Sequence, residues 1–134
     1  MSLKLIKNAN VVLENGIIWD GGILIDEDKI IKADHIGNIE VPKDAQVIDA
    51  KGAYVGPGFV DMHVHGGNGC RTWEDPVGAA AFFLEHGETS MLPTPGYNMT
   101  LDQFKDAFAA IKKAMPEAKN IKGINIEGPF INPK

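Results

Sequence analysis

The sequence predicts an α/β protein in two parts: a small all-β unit over residues 1–54, then alternating strands and helices over residues 55–134. Three observations predict this. Residues 1–54 break into short β-type segments separated by turn residues, with no helical period of useful length. After Val55 the order becomes β-α-β-α-β with a dozen or more residues per crossover, which requires parallel strands. Within that run Leu101, Phe104, Phe108, Ile111 and Met115 fall on one face at helical spacing.

In the β unit the expected strands are Leu3–Ile6, Ala9–Leu13, Ile23–Asp26, Lys29–Ala33 and Gln46–Asp49. Glu14-Asn15-Gly16, Asp20-Gly21-Gly22 and Asp26-Glu27-Asp28 are turn chemistry and are read as the breaks. In the second part Val60–His65 alternates as a strand and ends in Gly66-Gly67. Asp75 and Pro76 suit an N-cap and a first helical position, and that helix runs to about His86, where Gly87 stops it. Thr89–Pro93 is a short second strand. Thr100 and Gln103 form a capping box for the helix that Pro116 ends, and Ile121–Ile126 is a third strand.

Composition narrows the class. Hydrophobic residues at 44% and charged residues at 23% are globular values. A net charge of −5 offers no footprint for nucleic acid or an anionic membrane. The single cysteine, Cys70, rules out an internal disulfide and fits a cytoplasmic setting. No apolar run approaches the ~20 residues that span a bilayer.

Side chains two apart on a strand point the same way, so Asp61, His63 and His65 share a face. In parallel α/β architectures functional groups collect at the carboxyl ends of strands, where the two histidines sit. Imidazoles projecting together into a cavity suit zinc or iron. Glu127 ends the third strand before Gly128-Pro129, at the same rim, and a pair of histidines with a carboxylate is a recurring hydrolytic metal set. Asn68 is first a turn former and second a substrate contact. Thr94, ending the second strand at that rim, is a candidate substrate contact. Cys70 is read as a small buried residue rather than a cavity wall, His86 as structural near a helix C-terminus, and His35 as a surface residue.

The segment Gly56-Pro-Gly-Phe-Val-Asp-Met-His-Val-His65, after Val47-Ile-Asp-Ala-Lys-Gly52, resembles the amidohydrolase superfamily. With Thr89-Ser-Met-Leu-Pro-Thr94 and Gly123-Ile-Asn-Ile-Glu-Gly-Pro-Phe130, it is similar to the N-acetylglucosamine-6-phosphate deacetylases over essentially the whole chain. The resemblance implies a small β-sandwich built from both chain termini beside a metal-dependent (β/α)₈ TIM-type barrel. This sequence would be the N-terminal portion, with the first three barrel strands and two helices. It implies Glu127 as a metal ligand with His63 and His65, and one or two divalent ions, zinc or iron. Two further histidine ligands and the general-base aspartate are expected beyond residue 134, so this chain alone is not expected to be competent. The implied reaction removes the acetyl group of N-acetylglucosamine 6-phosphate, giving glucosamine 6-phosphate and acetate. The implied partners are a small phosphorylated N-acetylhexosamine and a second copy in a homodimer, with no nucleic acid and no membrane. Cyclic-amide hydrolases and nucleobase deaminases share the paired histidines. The cyclic-amide hydrolases commonly use a carbamylated lysine where deacetylases use glutamate, so Glu127 favours the deacetylases. A non-catalytic folding fragment or binding module is the reading from another class.

Overall fold

The computed structural model describes residues 3–128 and 131–132. The chain falls into two compact units, Met1–Pro57 and Gly58–Lys134.

The first unit is one sheet. Strands β1 (Leu3–Leu13), β2 (Gly16–Asp26) and β3 (Lys29–His35) form an antiparallel meander. Strands β4 (Gln46–Asp49) and β5 (Tyr54–Val55) both pair in parallel with β1, at different points along it. Ala9, Val11 and Ile23 are its buried centre. The described strands of this unit form a single sheet.

One expected break, and the gap left between the expected strands Leu3–Ile6 and Ala9–Leu13, lie inside continuous strands. Asn8, with φ 54°, is a bulge inside β1, held by its Nδ2 donating to Asp49 Oδ1 at 2.9 Å. Asp20-Gly21-Gly22 lies inside β2, with Asp20 at φ 49°. The glycines serve packing there: a Cβ on Gly21 would meet Val11 at 2.8 Å, and one on Gly22 would meet Ile36 at 2.8 Å. Close approach, not turning, requires them.

The second unit begins with β6 (Phe59–Val64), followed by the two-residue strands β7 (Gly66–Gly67) and β8 (Cys70–Arg71). Asn68 (φ 53°) and Gly69 (φ 79°) are the hairpin turn between β7 and β8, where two left-handed residues match the strand twist. Helix α1 (Pro76–Glu85) starts on the Asp75 cap, whose side chain accepts from the Gly78 N–H, and ends at His86 before Gly87 (φ 91°), as expected. Strand β9 (Glu88–Pro93) pairs in parallel with β6. Helix α2 (Leu101–Ala114) carries the expected capping box in both directions. It buries Phe104, Ala107, Ile111 and Ala114, while Leu101 at its start stays exposed. The core gathers Val64, Ala79, Ala80, Phe83, Met91, Ile111 and Ile121. No helix among the described residues is long and apolar enough to cross a membrane.

The expected third strand, Ile121–Ile126, is extended but is no regular strand. It makes one parallel bridge, Met91 to Ile121, with Met91 N–H donating to Asn120 O at 2.8 Å and Lys122 N–H to Met91 O at 3.0 Å. The next bond of that ladder would come from the N–H of Pro93, which proline lacks. The ladder breaks there and resumes out of step, with Asn125 rather than Ile124 donating to Pro93 O at 3.1 Å. The (β/α)₈ closure lies beyond what these strands display.

Candidate metal centre

The carboxyl end of β6, the end of β9 and the 121–127 segment bring His63, His65 and Glu127 together. One ligand atom from each lies within 4.8 Å of the others. His65 Nε2 is 3.2 Å from Glu127 Oε2, His63 Nε2 is 3.9 Å from it, and the two Nε2 atoms are 3.2 Å apart. The rings meet edge to face with centroids 5.0 Å apart.

The hydrogen bonds behind this group orient it. His65 Nδ1 lies 2.7 Å from the Thr94 carbonyl. A carbonyl only accepts, so Nδ1 carries the proton and the bare Nε2 lone pair faces Glu127. Thr72 fastens the strand beneath, its N–H donating to His65 O at 2.9 Å and its hydroxyl reaching Val64 O and His65 O. Glu127 has no lysine or arginine in ion-pair reach among the described residues; its ion-pair partners are the two imidazoles. The Glu127 carboxylate and the His65 Nε2 lone pair, 3.2 Å apart, repel unless a proton or a cation lies between them. The donor set therefore fits a divalent cation of the zinc or iron type.

Asp61 leaves the group: its carboxylate folds back to accept the His63 N–H at 2.8 Å. The Thr94 side chain is buried, and its carbonyl lies 2.7 Å from His65 Nδ1. Asn68 sits exposed at the hairpin tip and does not line the cavity beside the histidines. Cys70 does line that cavity, while also packing on the core and donating its thiol to Gly67 O at 3.4 Å. His86 caps α1, its Nδ1 2.7 Å from Phe82 O, and His35 is exposed and accepts from the Gly37 N–H. Pro129 and Phe130, the second half of the Glu-Gly-Pro-Phe motif, lie outside the described residues.

A cavity of about 700 Å³ opens over His63 and His65, walled by Gly67, Cys70, Arg71 and Glu74. A second, of about 440 Å³, shares His65, Arg71 and Glu74 and adds Trp73, Tyr97 and Glu127. Arg71, the chain's one arginine, lies 5.8 Å from the Trp73 ring centre, with no ion-pair partner among the described residues. Reading for motifs missed Arg71 and also Asn125, whose Nδ2 is 3.4 Å from His63 Nδ1. The two-residue strand period that paired the histidines also puts Asn125 on the face of Glu127.

No family model matches the chain. It is 38% identical over 124 residues to a dihydroorotase of Staphylococcus aureus strain Mu50, covering 90% of this chain and 28% of that protein. In structure it is similar to the N-acetylglucosamine-6-phosphate deacetylase of Pasteurella multocida, with a TM-score of 0.81 and 26% identity, over 98% of this chain and 35% of that one. In sequence and in structure the chain is thus similar to members of the amidohydrolase superfamily. A third superfamily likeness is D-hydantoinase from Thermus sp., at a TM-score of 0.52 and 27% identity, over 80% of this chain and 24% of that one. The chain spans about a third or less of the length of the relatives it matches.

Proposed function

We propose that the whole protein hydrolyses the N-acetyl group of N-acetylglucosamine 6-phosphate, and that these residues supply one part of its metal site. The observation that carries the reading is the convergence of Glu127 on His63 and His65, a carboxylate from a second strand end completing the imidazole pair. The likeness to the Pasteurella multocida deacetylase supports the same substrate. When bound, one or two divalent ions, zinc or iron, supply Lewis-acid polarisation of the amide carbonyl and hydroxide at neutral pH.

The chain's own residues orient and bind. The Thr94 carbonyl holds His65 in the ligating tautomer, and Glu127 contributes the negative charge that retains a cation. The guanidinium of Arg71, with no ion-pair partner among the described residues, is suited to a substrate phosphate. Trp73 and Tyr97, in the same cavity wall, offer ring faces to a sugar. The reading places the general base on an aspartate outside residues 1–134. A homodimer and a cytoplasmic setting belong to the same proposal, the latter supported by the single cysteine.

A second reading is ring opening of a cyclic amide, favoured by the 38% identity to dihydroorotase. Offering the purified whole protein N-acetylglucosamine 6-phosphate and dihydroorotate separates the two: the proposal expects acetate release from the first and no ring-opening of the second. Arg71→Met should raise KM for the phosphorylated sugar about tenfold to a hundredfold, the loss of a charged hydrogen bond worth ~1.5–3 kcal/mol. KM for the unphosphorylated sugar should not change.

A further inference from the structure

Asn125 touches His63 from behind, and the protons of its neighbours determine which way it faces. The Thr94 hydroxyl has one proton, given to Leu92 O at 3.0 Å, and its oxygen accepts the Val64 N–H at 3.2 Å. The remaining lone pair can only accept, so the Asn125 amide nitrogen, 3.4 Å away, faces Thr94 rather than its oxygen. The same nitrogen lies 3.4 Å from His63 Nδ1. An NH₂ group donates there, so Nδ1 of neutral His63 is the acceptor and its proton sits on Nε2.

His65 has the opposite pattern, with its proton on Nδ1 and a bare Nε2. The two interlock, the His63 Nε2–H pointing at His65 Nε2 across 3.2 Å. His65 therefore meets a cation with its lone pair already presented. His63 does so through Nε2 only if its proton leaves that nitrogen, Nδ1 takes one up, and the Asn125 amide turns its oxygen to receive it. That turn takes the amide nitrogen away from Thr94. We infer that Asn125 is a positioning residue that fixes the tautomer of His63 and makes it the weaker, later ligand of the pair. The inference rests on the metal-centre reading, but its first test does not.

That test is the ring-nitrogen NMR spectrum of the metal-free whole protein, read for the neutral form of each imidazole. The expected result is Nε2–H on His63 and Nδ1–H on His65. Asn125→Asp, whose carboxylate accepts from Nδ1–H, should switch His63 to that tautomer and tighten zinc binding about tenfold. Asn125→Leu, which removes the donor and supplies no acceptor, should tighten zinc binding by less, about threefold, and an unchanged affinity in both variants overturns the inference. An Nδ1–H signal on wild-type His63 overturns the inference. So does an Asn125→Asp protein that keeps Nε2–H, or that switches tautomer without tighter zinc binding. A protein that takes up no zinc contradicts the metal-centre reading instead, while the tautomers still decide the role of Asn125.

Discussion

Glu88 shows how one carboxyl group ties local structure to pH. Its Oε2 is buried with no hydrogen-bond partner among the described residues, and that burial, with the Asp61 carboxylate nearby, raises its pKa above the ordinary 4.5. A group raised in the folded state favours folding while it is protonated. Its contribution is full below about pH 4.5 and is lost as pH rises through the raised value. Glu88→Gln should therefore raise Tm at pH 7 and leave it nearly unchanged at pH 4, with thermal melts at the two pH values as the check. Equal shifts at both would sink the account. Asp49 works in the opposite window. The Asn8 side chain and the Lys51 N–H lower its pKa below 3.8, so its contribution is present above that value and lost as pH falls through the lowered one.

At the level of elements, α2 separates capping from burial. Thr100→Ala removes half the capping box and should cost about 1 kcal/mol. Ile111→Ala, at a residue 0% exposed, should cost about 2–5 kcal/mol through the cavity it leaves. Urea denaturation midpoints would check both, and equal losses would mean that α2 is not docked as described. Both helices were legible in the sequence because their signals are local: Asp75-Pro76 and Gly87 bracket one, and Thr100 with Gln103 opens the other. The convergence of His63, His65 and Glu127 was legible because strand period and strand ends are also local properties. What was not legible depends on partners distant in sequence. Gly21 and Gly22 read as a turn until Val11 and Ile36 are seen against them. Ile121–Ile126 reads as a strand until the missing N–H of Pro93 meets it across the ladder. The burial of Thr94 comes from neighbours that only the fold supplies.

Across the whole molecule, the exposed apolar surface carries its own prediction. Phe59, Val60 and Met62 on β6 are 70%, 69% and 69% exposed. Parallel strands are normally covered on both faces, and among the described residues β6 has one strand neighbour, β9. A free edge with apolar side chains pairs with whatever it meets. The expected behaviour of the 134-residue chain is concentration-dependent self-association, measured by light scattering and reduced by Val60→Lys. Scattering that stays monomeric at every concentration would show the face to be covered.

The central claim is that His63, His65 and Glu127 hold a divalent ion, and metal titration of the purified whole protein tests it most directly. The account predicts stoichiometric zinc or iron, with affinity at least about tenfold lower in His65→Ala and in Glu127→Gln. A protein that takes up no divalent ion, or one whose affinity neither substitution changes, would contradict it.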